Sequence, residues 1–485
     1  MIELLPILLA LGLLMFFAFR GVTLLILAPL MALLAAGLSG TLPLLGSYTQ
    51  IFMVNAGDFV IAFFPLFFFG AIFGKLMDDS GAARSIADWV IGKLGAQRAV
   101  LAVVLCCALL TYGGVSLFVV AFAIYPIAVA LFRDANIPKR LIPGALALGA
   151  FAFTMSSMPG SPAIPNAIPM PFFGTTAFAA PGLGLIASAI MLGLGMIWLN
   201  RRSAQAEARG EGYGQHEDTV PEITTQMREQ SQNDGFDLNE LDAAPAMALR
   251  DAPSFALSIA PVILVIAVNF LFIQLVVPQM NTDFLSLPQF GETSIDAVRG
   301  VWSIIVALLA SILFLLVTNW RRLADVKQTL NQGADASVLP IFNTACLVGF
   351  GGIIAALPAF SLITDAMLGL SDGNPLISVA VSVSALSAIT GSASGGMSIA
   401  LDALGPTFVA LAQQTGTSLE AMHRIAAVAA GSLDCLPHNG AVITVLGICK
   451  LTHKEAYFDI FVVAVLIPLI ALASIIGLAS IFGGF

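Results

Sequence analysis

Between about residues 424 and 449 the chain is apolar for long enough to cross a lipid bilayer. Yet its middle reads Gly431-Ser432-Leu433-Asp434-Cys435-Leu436-Pro437-His438-Asn439-Gly440-Ala441. Pro437 has no backbone N–H and clashes with the preceding turn, so a helix breaks there. A break at membrane depth leaves carbonyls and amides that lipid cannot satisfy. Such a gap survives only where it is packed in protein or lines a cavity. Asp434 and His438 sit beside it, and ionisable groups at that depth mark functional sites. A second interruption, Met155-Ser156-Ser157-Met158-Pro159-Gly160-Ser161-Pro162, falls inside the apolar run 141–176. Two interrupted spans in corresponding halves point to a solute site near the bilayer midplane.

The rest of the chain agrees with a membrane setting. It is 58% hydrophobic and 10% charged, far from the quarter charged of soluble domains. Full spans are predicted at about 3–19, 22–45, 57–75, 141–176, 181–199, 253–278, 299–319, 336–357, 424–449 and 458–483. The fold class is therefore an all-α polytopic membrane protein. No basic patch or motif suggests a nucleic-acid partner. The five cysteines, Cys106, Cys107, Cys346, Cys435 and Cys449, lie in apolar segments and read as packing residues. Neither a metal site nor an organic cofactor is expected. The first apolar run reads as a retained span rather than a signal peptide.

Two further apolar stretches, 97–132 and 376–413, have polar, glycine-rich centres. These are Thr111-Tyr112-Gly113-Gly114-Val115-Ser116 and Thr390-Gly391-Ser392-Ala393-Ser394-Gly395-Gly396-Met397-Ser398. Each can be two spans or a re-entrant hairpin, and charge chooses between them. With both re-entrant, eighteen of the twenty Lys and Arg residues share one side, and only Arg299 and Arg424 fall on the other. Cationic loops concentrate on the cytoplasmic face, which places both termini on the periplasmic face.

An internal duplication emerges from the same map. Gly74 to Thr111 spans 37 residues and Gly352 to Thr390 spans 38; Thr111 to Pro159 spans 48 and Thr390 to Pro437 spans 47. Each half holds five transmembrane helices, one of them interrupted, and one hairpin. Five crossings are odd, so the second half is inverted. The first repeat covers 1–199 and the second 253–485, joined by a polar cytoplasmic linker over 200–252 that is expected to be disordered, with His216 in solvent. Ser80–Gly95 and Ser361–Leu370 read as matching amphipathic helices, either connecting arms or inert surface helices. Asp365 and Asp372 are expected at the outer surface.

The second arm of each hairpin starts a helix whose free amides favour an anion. Ser116 can cap one arm, and Ser394 or Ser398 the other. A carboxylate can thus be held without a cationic side chain at depth, because Arg424 is expected near one mouth. The candidate substrate-binding residues are Tyr112, Gly113, Gly114 and Ser116 at the first tip and Ser392, Ser394 and Gly395 at the second. Gly160, Ser161 and Asn166 at the first break and His438 and Asn439 at the second complete the set. Asp434, His438 and Asp402 are candidates for the coupling ion. Each has a plainer reading as a cap, a bridge across the break or an acid near a tip. Small-residue packing is the plainer reading of the tips, but two matched tips favour a site. Thr444 lies one turn beyond Asn439, and Asn343 with Thr344 reads as helix–helix glue. An enzyme is not expected, since Ser432, Asp434 and His438 lack a nucleophile turn and Cys435 with His438 supplies too few metal ligands.

Two strings carry a family resemblance. They are Leu110-Thr111-Tyr112-Gly113-Gly114-Val115-Ser116 with Tyr125-Pro126, and Pro437-His438-Asn439-Gly440-Ala441-Val442-Ile443-Thr444 followed by Leu451-Thr452-His453-Lys454-Glu455-Ala456-Tyr457. The chain resembles the gluconate permease (GntP) family of the ion transporter superfamily along nearly its whole length, the linker excepted. The resemblance implies a bacterial inner-membrane homodimer with a fixed scaffold and an elevator-like transport body. It also implies cation-coupled uptake of sugar acids or small hydroxy acids. Gluconate-type members carry a Pro-Pro-His-Pro-Gly-Pro-like string where this chain has Ser157-Met158-Pro159-Gly160-Ser161-Pro162, so the likeness is closer to the 3-hydroxybutyrate-type branch. The expectation is symport of a small organic monocarboxylate with H+ or Na+. The alternatives are a proton-coupled gluconate or other sugar-acid permease and, in another class, an anion channel.

Overall fold

The computed structural model of the chain describes residues 2–18, 20, 22–216, 218, 252–369 and 373–485. Among these residues every regular element is a helix, and eight helical stretches are long and apolar enough to cross a membrane. The same series of elements occurs twice. In the first half, Leu5–Ala18, Leu24–Ser39 and a helical stretch over Leu44–Asp79 precede the amphipathic helix Ala82–Leu94. A hairpin (Ala99–Tyr112, Leu117–Asp134), a broken helix and the span Pro181–Ala208 follow. In the second half, Phe255–Gln279, Ile295–Asn319 and Val326–Ala356 precede Phe360–Gly369. A hairpin (Pro375–Thr390, Ala393–Thr415), a broken helix and His453–Phe482 complete it.

Local chemistry sets most boundaries. Gly40, Gly81 and Gly95 take positive φ, and the helices that run into them stop there or turn. The second span therefore ends at Ser39, earlier than the apolar pattern suggests, and the third begins at Leu44 through a π-wound turn over Ser47–Phe52. Helix Ala82–Leu94 buries Ile86 and Val90 and stacks Trp89 on Phe255 at 3.9 Å, so its apolar face docks on the second half. Between it and the first hairpin arm the axis bends by 101°. The helix Val326–Ala336 was not visible in the apolar pattern, because Lys327, Gln328, Asn331 and Gln332 dilute it. It forms because Thr329 donates to Asp79 at 2.6 Å and Gly333 lies against Ile72.

The beginning of the linker corrects the sequence expectation. The span that starts at Pro181 runs to Ala208, and Glu211, Tyr213 and Asp218 are held against the protein. Arg140 holds Glu211 through two bonds of 2.6 and 2.9 Å, and Lys139 and Tyr213 hold Asp218 at 3.0 and 2.9 Å, with Arg133 also paired to Asp218. Arg140 and Arg202 also share the buried Asp459, which accepts from Trp198 Nε1. Loop 133–140, the linker start and helix His453–Phe461 thus meet at one end of the molecule. His216 is exposed, as expected. The expectations for residues 219–250, Asp372 and the Asp365 side chain lie outside the described part.

Candidate functional site

The two hairpin tips are built alike. At the first, Gly114 at φ +96 lets the chain reverse, and a Cβ there would lie 2.9 Å from Pro162 of the first break. Ser116 then caps the next helix, accepting from Phe118 N at 3.4 Å. At the second, Gly391 at φ +63 ends the incoming arm, and a Cβ there would lie 2.9 Å from His438 Cδ2 of the second break. Only glycine fits this combination of backbone hand and contact. Ser392, rather than the expected Ser394 or Ser398, caps the outgoing arm through Gly395 N at 3.2 Å. Ser394 sits in the first turn, its hydroxyl 3.3 Å from that of Ser392.

Each break is clasped to its own tip, and its loose backbone groups are taken up by side chains. Tyr112 donates to Pro159 O at 2.7 Å. Asn439 Nδ2 donates to Gly391 O at 2.7 Å while its Oδ1 accepts from Val442 N at 2.9 Å, capping Gly440–Ile448. His438 Nε2 donates to Ala388 O at 2.9 Å. On the far side of the second break, His453 donates to Pro437 O and Tyr457 to Cys435 O. These bonds give a physical role to the string Leu451–Tyr457, since broken helices in lipid must satisfy their carbonyls from neighbours. At the first break Asn166 donates to Ser161 O and Ala177 O at 2.8 and 3.0 Å.

Tips and breaks together enclose a cavity of about 140 Å³. Thr111, Gly114 and Ser116 line it from the first tip and Ser392 and Ser394 from the second. Ser156 and Pro162 come from the first break, and Asp434, Cys435 and Asn439 from the second. Three helices of nine residues or more, starting at Leu117, Ala393 and Gly440, have their first turns at this wall. Their free amides and dipoles favour negative charge there. Thr111 Oγ1 and Asp434 Oδ1 are buried without a hydrogen-bond partner among the described residues, and both belong to lining residues.

Seven of the expected site residues stand behind this wall rather than on it. Tyr112, Gly113, Gly160, Ser161, Asn166, Gly395 and His438 shape or clasp the lining segments. Asp402 is half-buried on the second hairpin's outgoing arm, away from the cavity. Asn343 is fully buried, and neither of its amide atoms has a partner among the described residues; the same holds for the Thr444 hydroxyl. The sequence reading missed the wall formed by helix Met53–Asp79, where Phe67, Gly70, Ala71 and Gly74 face the cavity, and it missed Ser337. Gly70 and Gly74, four apart in an apolar helix, were the available signal.

Arg424 needs correction. It lies not at a mouth but fully buried, reaching from helix Leu419–Leu433 into the first break. Its guanidinium donates to Ala179 O, Ala177 O, Ser156 O and Asn166 Oδ1 over 2.8–3.3 Å. Beside it His423 Nδ1 meets Thr175 Oγ1 at 2.7 Å. One half thus pins the other half's broken helix. The signal was a lone Arg within an alanine-rich apolar run, which marks a functional site by default.

Among known proteins, the chain is 43% identical over 494 residues to a protein of Bacillus subtilis (strain 168) described as "Uncharacterized transporter YxjC", and the match covers 99% of each. The chain belongs to that family of membrane transporters. Shorter matches join this transporter to an "Uncharacterized transporter" of Haemophilus influenzae, 41% identical over 73 residues (15% of this chain, 17% of the relative). Another is to the "High-affinity gluconate transporter" of Escherichia coli (strain K12), 35% identical over 102 residues (20% of this chain, 22% of the relative). No family model matches the chain. Among solved structures, the Alcanivorax borkumensis YdaH transporter superposes with a TM-score of 0.52 at 16% identity, over 89% of this chain and 87% of that one. The likeness to YdaH, which is reported to have an unusual topology, is one of fold. The transporter relatives agree with the expectation of a non-enzyme.

Proposed function

We propose that this transporter is a cation-coupled symporter of a small organic monocarboxylate such as 3-hydroxybutyrate, built from two inverted repeats with re-entrant hairpins. The observation that carries the reading is the single cavity shared by both tips and both breaks. Its volume of about 140 Å³ lies well below the roughly 300–1,000 Å³ of pockets for drug-sized ligands, which suits a solute of few heavy atoms. Three helix N-termini would hold the carboxylate, and the hydroxyls of Ser116, Ser392 and Ser394 with the Thr111 side chain would meet a hydroxy group. Asp434, with its unpartnered oxygen at the wall, is the group we assign to the coupling ion, H+ or Na+. His438 would serve it indirectly, by fixing the break to Ala388. The hairpins, breaks and last spans of both halves would move together as an elevator against a scaffold that includes helix Met53–Asp79, within a homodimer in the inner membrane.

The segmental likeness to a gluconate transporter favours a second substrate, gluconate or another sugar acid, on the same site. Uptake of labelled 3-hydroxybutyrate into proteoliposomes, with gluconate, lactate and acetoacetate as competitors, decides between them. Accumulation indifferent to both pH and sodium gradients would rule out coupled symport.

A further inference from the structure

Three lysine and arginine side chains are buried among the described residues, and they are not alike. Lys75 is paired with Asp79 at 3.1 Å and Lys139 with Asp218 at 3.0 Å. Arg424, 0% exposed, makes its hydrogen bonds among the described residues to three carbonyl groups and the Asn166 amide oxygen, all of them neutral. Hydrogen bonding satisfies the donors but leaves the positive charge uncompensated, and a guanidinium does not deprotonate in proteins. Such a charge is expensive to bury without a counterion. Its position shows where a counterion would come from. Ser156, whose carbonyl accepts from Arg424 Nη1 at 3.3 Å, is itself part of the cavity wall. The guanidinium therefore stands one residue behind the cavity, and Asp434 is the one carboxylate among the residues lining it.

We propose that Arg424 is the fixed positive charge that gives the cavity its preference for a monoanion, acting through the wall rather than by contact. The inference rests on the transport reading above and deepens it by assigning charge selectivity to a residue that does not line the site. Placing the charge behind the wall has a physical consequence. A lysine or arginine in the cavity would hold an anion by direct bonds and slow its release. A charge already bonded to backbone carbonyls contributes only its field. At an effective dielectric constant of about 20, a unit charge acting across roughly 8 Å shifts the binding of another unit charge by roughly ten- to thirty-fold. An ionised Asp434 in the wall opposes it, so the preference for an anion appears once the coupling cation has neutralised Asp434.

The test reads the sign of the potential and needs no knowledge of the substrate. The full-length transporter, with its five native cysteines replaced and Ser116→Cys as reporter in the wall, is converted to mixed disulfides in proteoliposomes by anionic and by cationic methanethiosulfonates, with release of methanesulfinate. The ratio of the two rates is followed by mass spectrometry. Arg424→Gln should lower the anion-to-cation ratio about a hundred-fold, because the two probes respond to the field in opposite senses, whereas Arg424→Lys, which loses donors but keeps the charge, should leave it within about two-fold. An unchanged ratio in Arg424→Gln, or an equal fall in both variants, would overturn the proposal. Should Arg424→Gln fail to fold, the double variant Arg424→Gln/Asp434→Asn, which removes both buried charges, is compared with Asp434→Asn alone. The double variant should show the same fall in the ratio relative to Asp434→Asn, and equal ratios would overturn the assignment. The uptake panel is scored separately, so a wrong substrate and a wrong charge assignment give different results.

Discussion

At the scale of single residues, the site depends on a few atoms that each do two things. Gly391 combines φ +63 with a Cβ position 2.9 Å from the His438 ring. Gly391→Ala should cost about 1–2 kcal/mol in backbone strain alone, lower the melting temperature in detergent and abolish uptake. Ala at Gly396, where a Cβ would strike the Ser387 backbone at 2.3 Å, should be at least as damaging. Asn439 caps one helix and grips the opposite tip, so Asn439→Ala removes both a cap of about 1 kcal/mol and a buried hydrogen bond of about 1–3 kcal/mol. Thermal melts should show the sum, and an unshifted melt would mean the clasp contributes nothing. Asp434→Asn should retain counterflow exchange of labelled substrate while losing gradient-driven accumulation. Loss of both together would assign Asp434 to substrate binding instead of coupling.

At the scale of elements, tips and breaks are paired units. Tyr112 to Pro159 in one half and Asn439 to Gly391 in the other tie hairpin to break across 47 and 48 residues of chain. The linker start is a third unit, held by ionised groups at one end of the bundle. Two bonds from Arg140 hold the Glu211 carboxyl below its ordinary value of 4.5. A depressed acid stabilises the folded arrangement above that value and loses the contribution as pH falls through its lowered pKa. Amide protection in residues 205–216, relative to the intrinsic exchange rate at each pH, should therefore hold from neutrality down to about pH 4.5 and fall below it. Arg140→Gln should produce the loss of protection already at pH 7, since it breaks the anchor on both Glu211 and Asp459.

At the scale of the whole molecule, the wall contributed by helix Met53–Asp79 is where the proposed moving body would meet the scaffold. A Cβ at Gly74 would lie 3.9 Å from Ser116 N of the first tip. The pair Gly74→Cys and Ser116→Cys should form a disulfide on oxidation in a background without native cysteines. An elevator requires the cross-link to stop uptake and reduction to restore it. Full uptake with the bond intact, verified by mass spectrometry, would show that these surfaces do not slide. The three close-packed interfaces of the helical stretch Leu44–Asp79, with Gly333, Gly349 and Gly352, fit a scaffold, because each brings a neighbour within 2.5–2.8 Å of a would-be Cβ. Interiors packed this closely move as blocks rather than deform.

Membrane residence, the helical class, the twofold series of elements and the two breaks were legible in the residues themselves. They depend on local physics: the length of apolar runs, the missing N–H of proline and the backbone freedom of glycine at Gly114 and Gly391. The same local chemistry named Ser116, Ser392, Ser394, Asp434 and Asn439 before any contact was known. It could not separate wall from support, because whether Asn166 or His438 faces a cavity depends on which carbonyl from a distant segment takes its donor. It misplaced Arg424 for the same reason: its partners are Ser156, Asn166, Ala177 and Ala179, some 250 residues away in sequence. The anchoring of Glu211 and Asp218 was hidden too, since their partners are charges on other segments. Local sequence decides where a helix must start or break, whereas only the assembled bundle decides which of the groups left open by the breaks bond to each other and which are left facing a ligand.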